Sequence, residues 1–331
     1  MNFYVRLILS AFWMTAYASG QNPAAPASPE SGQTQVGEPS AKLSSADSSL
    51  VQESKTSAAL IELRPDASGV VPQEQIRELL RIVADKDMEN DKRSRNYTYI
   101  QREEEHHLDG KGNVKKVESR TSEVLMIYGE QVERRIAKND KPLSGDEALK
   151  EDEKIQKIID KRKNESESDR RKRLEKEEKD REEGRKFVKE VADAYYFRLV
   201  GSEVLDGHDT WVLDAEPRPG YEPKFKEARF LPKVKGRIWI DKTETQWVKF
   251  DIVTTDTISF GLFLARLHKG TRVIVDTTRI NDEVWLPKHV QFHADIRLAL
   301  LKNFDVDVEQ TFRDYKKFRS ESKITVVGET Q

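Results

Sequence analysis

The 331-residue chain sets 57 Lys and Arg against 59 Asp and Glu, with six His, a formal net charge of -2 and no Cys. Near-neutrality excludes a general nucleic-acid binder, which needs a basic excess, and the missing cysteines exclude disulfide scaffolds, thiolate nucleophiles and Cys-ligated metal centres. Because 35% of residues are charged, against roughly 25% in ordinary domains, the surplus must sit in segments that build no core.

Residues 1–18 read as a cleavable signal peptide. Arg6 precedes an apolar run from Leu7 to Ala18, broken only by Ser10 and Thr15 and ending in Ala16-Tyr17-Ala18. The run is about a dozen residues, short of the ~20 that cross a bilayer. Export is expected, to a bacterial periplasm or beyond it, with no transmembrane segment in the mature chain. Residues 19–70 are expected to be a disordered linker: between Ser19 and Leu50, 24 of 32 residues are Ser, Ala, Pro, Gly, Gln or Thr. Such a segment buries too little apolar surface to offset its ordering entropy. The folded domain is then residues 71–327, starting near Val70.

From Pro72 to about Glu89, Ile76, Leu79, Leu80, Val83 and Ala84 form one stripe of an amphipathic helix. At Asn96 the period changes to two, with Tyr97, Tyr99 and Gln101 opposing Thr98, Ile100 and Arg102. Turn chemistry at residues 109–113 leads to strands near 114–128 and 131–138. The surplus charge follows, in an insertion at about residues 144–194. Between Ser144 and Glu190, 16 acidic and 16 basic residues fill 32 of 47 positions. Acid-before-base pairs at i,i+4, among them Glu167/Arg171 and Glu182/Lys186, predict one or two solvated helices with a frayed middle at residues 164–168. Apolar residues that can pack on the domain occur only at its ends: Leu149, Ile155, Ile158 and Ile159, then Phe187, Val188 and Val191.

Beyond Tyr195 the pattern is strand and turn. Hairpins are expected across Asp206-Gly207, across residues 242–245 and across Asn281-Asp282, and residues 303–318 close the series. The fold class is therefore α+β. Pairing Asp241 with Gln246 would place Trp239, Val248, Phe250 and Ile252 on one face and Ile238, Ile240 and Trp247 on the other. Ile258 to Leu267 holds one charge, and Phe260, Phe263, Leu264 and Leu267 fit one face of a short helix. That helix either plugs the sheet or sits over the mouth of a cavity.

No nucleotide loop, nucleophile elbow or metalloprotease motif occurs, so no catalytic residue, cofactor or metal is assigned and the chain reads as a non-enzyme. His289 and His293 have the i,i+4 spacing that chelates zinc on a helix, but on a strand they stand ~13 Å apart. His106 and His107 point to opposite faces of a strand end. Asp305, Asp307 and Glu309 alternate with Phe304, Val306 and Val308 as a half-solvated strand does.

Gly236-Arg237-Ile238-Trp239-Ile240-Asp241, a short turn and Trp247-Val248-Lys249-Phe250 resemble a hairpin of the periplasmic outer-membrane lipoprotein-sorting (LolA/LolB-like) superfamily. Asn281-Asp282-Glu283-Val284-Trp285-Leu286-Pro287 is similar to its following turn and strand, with Glu283 where glycine is usual. The resemblance spans residues 72 to 320. It implies a curved antiparallel sheet, an incomplete barrel closed by helices, that carries a lipid or lipoprotein acyl chain. Trp239, Val248, Phe250, Ile252, Phe260, Phe263, Leu264 and Leu267 are the expected ligand-facing residues. The alternative is an envelope protein-interaction module that engages its partner through residues 144–190.

Overall fold

A computed structural model describes residues 62–67, 70–260, 265–298 and 302–318. Residues 1–61, with the expected signal peptide and most of the linker, lie outside it, as do Phe263 and Leu264. Helix α1 spans Gln73–Ser94 and follows Pro72, whose missing N–H costs nothing at a helix start. Its stripe of Ile76, Leu79, Leu80, Val83 and Ala84 is buried as expected, and the same face continues with the buried polar residues Asp87, Asn90 and Ser94. The helix therefore outruns its apolar pattern. Asn90 explains part of this, since its Nδ2 donates to the Trp285 carbonyl and its Oδ1 accepts from the Trp285 N–H, both at 2.7 Å. Packing also begins upstream of Val70, because Leu63 is buried in the same cluster.

Strands β1 (Tyr97–Leu108), β2 (Val114–Ile127), β3 (Glu130–Lys138) and β4 (Lys141–Pro142) precede helices α2 (Gly145–Lys163) and α3 (Glu167–Ala194). After them come β5 (Tyr195–Leu205), β6 (His208–Pro217), β7 (Val234–Asp241), β8 (Trp247–Thr254), β9 (Ile258–Phe260), β10 (Ala265–Leu267), β11 (Arg272–Ile280), β12 (Val284–Leu298) and β13 (Lys302–Lys317). They form one antiparallel sheet of 13 strands in the order β4-β3-β2-β1-β13-β12-β11-β8-β7-β6-β5, with β9 and β10 off this path. The first strand thus pairs with the last, while β4 and β5 remain separate edges. The sheet is open, in agreement with the expected α+β incomplete barrel. The expected turns at Asp206-Gly207 and Asn281-Asp282 have positive φ, and so does Asn139-Asp140 between β3 and β4.

The insertion is two helices. Ser144 starts α2 with a capping box to Glu147, Asn164 ends it, and the Ser166 side chain caps α3 through the Asp169 N–H. Ile155 is buried against the domain, but Leu149 is 61% exposed, so it does not serve as the expected anchor. The root is held by charge instead. Arg162 and Arg173 converge on Glu130 and Glu165, with Arg173 at 2.9 Å from Glu165, and Arg134 reaches Asp152 at 3.3 Å. Only the C-terminal part of α3 joins the core, through Phe187, Val188, Val191, Ala192 and Ala194.

The described ends of segment 258–267 are not helical. Ile258–Phe260 and Ala265–Leu267 are paired strands, and β10 also pairs with β12. Ile258 lies opposite Leu267 and both are buried, at 4% and 2% exposure, so cross-strand pairing outweighs the helical spacing of the apolar residues. The expected helix is therefore replaced by an extension of the β8–β11 hairpin.

Candidate functional site

The two faces of the sheet differ in chemistry, and cross-strand register assigns residues to them. One face carries a single large cluster that includes Tyr99 and Val124, then Val306 and Phe312, Phe292 and Ile296, Val273 and Val275, Phe250, Ile238, Leu213 and Phe197. It runs from β2 to β5. Helix α1 crosses it diagonally, tied at one end to β5 through Gln73, whose Oε1 accepts from the Phe197 N–H at 3.0 Å, and at the other to Trp285 of β12 through Asn90. A 22-residue helix is about 33 Å long and about 10 Å wide. Eight strands from β5 to β1 span about 34 Å across their seven spacings, so the helix occupies a strip of this floor. Ala294 and Ile296 of β12 and Val306 of β13 are buried on it.

The candidate residues do not all share this face. Phe250 and Leu267 are in the large cluster and Ile252 packs against it. Trp239 and Val248 sit instead with Val212 and Trp285 in a second cluster on the other side. The cause is a bulge at Trp239/Ile240: Trp239 pairs with Lys249 and Ile240 with Trp247, in place of the expected pairing of Trp239 with Val248. The extra residue puts Phe250 beside Ile238 and leaves Trp239 on the opposite face. There the Trp239 Nε1–H donates to Glu203 at 2.7 Å and the Lys249 ammonium stands 5.6 Å from its ring centre. The Trp285 Nε1–H donates to Glu244 at 2.6 Å, with the His208 ring 4.6 Å away. Phe260 lies in β9 opposite Ala265.

The outer face is otherwise ionic. Arg272 holds Asp251 at 2.5 and 2.8 Å, Lys249 holds Asp276 at 2.9 Å and Arg237 holds Asp214 at 2.6 Å. His289 meets Glu309 at 2.8 Å and His293 meets Asp307 at 2.5 Å, each imidazole having its own carboxylate from β13. A depression of about 350 Å³ on this face is lined by Glu104, His106, Arg272, Gln291, His293 and Asp307. No group of three or more potential metal ligands converges among the described residues.

The apolar face has a charged margin that the hydrophobic pattern did not reveal. Glu103 pairs with Gln310 of β13 and Arg120 of β2, Glu105 with Val308 and Glu118, and His107 with Val306 and Lys116. Directly opposed residues share a face, so these groups border Val306 and Val308. Glu103 is 2% exposed, paired with Arg120, and accepts from Gln310 Nε2 at 2.5 Å. Burial pushes its carboxyl up, against the Arg120 guanidinium that favours the ionised form. Arg120 also lies 3.4 Å from Glu105, and His107 Nε2 lies 3.6 Å from Glu105 and 3.5 Å from Glu118. The signal was present in the alternation of β1, where Gln101, Glu103, Glu105 and His107 continue the phase of Tyr97 and Tyr99. On α1, burial with Asp91 nearby pushes the Asp87 carboxyl up to about 8.

These features define an α+β protein with an open antiparallel sheet, one face apolar and crossed by a helix. No protein-family model and no curated protein matches the chain. Among solved structures it is similar to a DUF1329 family protein from Desulfovibrio piger, at 11% identity and TM-score 0.27, over 75% of this chain and 95% of that one. A putative outer membrane lipoprotein-sorting protein domain from Vibrio parahaemolyticus is similar at 12% identity and TM-score 0.25, over 74% and 95%. A LolA superfamily protein from Nitrosomonas europaea is similar at 10% identity and TM-score 0.25, over 74% and 94%. What the protein does has to be argued from its own residues.

Proposed function

We propose that the protein is a non-enzymatic periplasmic carrier for a lipid or lipoprotein acyl chain, which it holds on the apolar face of the sheet. The observation that carries this reading is the extent of that face: one apolar cluster runs without a break across the sheet from β2 to β5. Burying methylenes there contributes about 0.8 kcal/mol each, so a chain of roughly 16 carbons needs no catalytic group to be held tightly. Phe250, Ile252 and Leu267 are the candidate residues that remain on the ligand side. Trp239 and Val248 support the sheet from behind. No described helix is long and apolar enough to cross a membrane.

Native mass spectrometry of the purified mature chain, followed by lipid extraction, tests this. The expected result is a co-purifying acyl lipid, or uptake of a fluorescent fatty acid by the stripped protein. A chain that emerges empty and takes up no fatty acid would refute it. A second reading rests on the exposed first part of α3, with Leu174 46% exposed: the insertion engages an envelope protein. Replacing residues 160–186 with a short linker separates the two, since carriage survives the deletion and partner engagement does not.

A further inference from the structure

An open sheet has two edges, and exposed edges are ordinarily covered. On the β3 side the chain supplies the cover: Glu151 of α2 accepts from the Arg135 N–H at 3.3 Å, and Lys154 Nζ donates to the Glu133 carbonyl at 3.0 Å. On the β5 side the cover is partial. Gln73 meets the Phe197 N–H and Arg218 the Tyr195 carbonyl, each at 3.0 Å. Tyr195 and Phe197 point their side chains into the apolar cluster, so residues of that phase turn their peptide groups to the outer edge. The phase continues through Leu199 and, past the bulge between Leu199 and Gly201, through Ser202, which lies opposite the clustered Trp211, and Val204. Among the described residues no hydrogen bond reaches the outer edge of residues 199–205. The side-chain bond to this stretch's backbone, from Thr210 Oγ1 to the Glu203 carbonyl at 2.7 Å, comes from β6 on the paired side. Val200 and Val204 are 44% and 67% exposed.

The chain upstream of Glu62 departs from the same corner. The Arg64 N–H donates to Gln75 Oε1 at 3.0 Å, two residues along α1 from Gln73, and Leu63 is buried in the cluster that holds Phe197, while Glu62 is exposed. Ser57-Ala58-Ala59-Leu60-Ile61 leads into this point. Extended, five residues reach about 17 Å, enough to follow β5 from Leu199 past Ser202. We propose that residues 57–61 add an antiparallel strand to β5 along residues 199–204, so that the chain's own linker covers Val200 and Val204. Alternation from Leu63 places Ile61 and Ala59 on the apolar side, and directly opposed residues share a face, so the N–H groups of Ala59 and Ile61 are the ones that turn toward β5. Tethered at Leu63, the segment meets this edge intramolecularly, at an effective concentration that favours it over a separate chain. The proposal is independent of what the apolar face carries.

Hydrogen exchange of the full mature chain, followed at the Leu199, Ser202 and Val204 amides, tests it with two double variants. In Ala59→Pro, Ile61→Pro the ladder donors are removed, and exchange at these amides is expected to speed up about tenfold or more. In Ala58→Pro, Leu60→Pro the missing N–H groups face away from β5, where proline is tolerated, and exchange is expected to stay within about threefold of the unaltered chain. Equal effects of the two variants, or amides that already exchange as an unpaired chain does in the unaltered protein, overturn the proposal. Protection that grows as protein concentration rises from about 1 to about 100 μM assigns the edge to a second copy and overturns it as well.

Discussion

The two faces of the sheet are built from the same strands and obey opposite rules. On the apolar face, side chains from β2 to β5 merge into one cluster. On the outer face, neighbouring strands are joined by discrete pairs such as Arg272–Asp251 and His293–Asp307. Apolar burial is non-directional and accumulates with area, so the first face can exchange one apolar partner for another. Ion pairs need defined geometry and contribute little when solvated. The outer face therefore fixes register, whereas the inner one supplies the bulk of the apolar burial.

The contrast can be broken most strongly in the core. Leu213→Ala, at a fully buried position of β6, is expected to cost about 2 to 5 kcal/mol in urea unfolding; a loss below 1 would mean that this face is loosely packed. Next comes Asp87, with a carboxyl at about 8 in the folded chain against an ordinary 3.8. Below pH 4 both states are protonated. As pH rises from about 4 to about 8 the unfolded chain ionises first, so this group's contribution to stability declines across that window and then levels off. Asp87→Asn should flatten that part of the stability profile, and an unchanged slope between the two chains would count against it.

Gly236 is a sharper probe of close packing. A Cβ there would stand 2.5 Å from the Asp251 carbonyl oxygen and 3.2 Å from the Ile252 Cα. Backbone must move, so Gly236→Ala should cost about 1 to 3 kcal/mol, read as a lowered melting temperature. The smallest effect is expected on the outer face. Arg272→Ala, which removes a half-exposed partner of Asp251, should change stability by no more than about 1 kcal/mol and less in high salt. A larger, salt-independent loss would show that the outer face carries more of the fold than its exposure indicates.

Much of this arrangement was legible because local chemistry decides it. Asp206-Gly207 and Asn281-Asp282 supply positive φ, the stripe from Ile76 to Ala84 has one face, and the balanced charge of the insertion keeps it off the core. The site was less legible. One inserted residue at the β7–β8 bulge reverses which face Phe250 occupies, and no periodicity announces it. Ile258 to Leu267 has helical spacing, yet β12 offers it an edge to pair with, and non-local hydrogen bonds decide the outcome. Glu103 and Glu105 are in phase with Tyr99, yet polar residues in a strand read as solvent-facing, so the pattern alone does not place them on the apolar face. Asn90 lengthens α1 beyond its apolar stripe by a contact to Trp285, 195 residues away in sequence.

An open sheet, unlike a closed barrel, keeps a strand whose outer amides and carbonyls invite another chain. At β5 the Gln73 side chain accepts from the Phe197 N–H at 3.0 Å and donates to its carbonyl at 2.5 Å, and Arg218 donates to the Tyr195 carbonyl at 3.0 Å. A side-chain amide thus occupies the position of a neighbouring strand's peptide group. The helix that crosses the apolar face also blunts the sheet against edge-to-edge polymerisation, so a single residue at its first turn links the packing of that face to the protection of the sheet's edge.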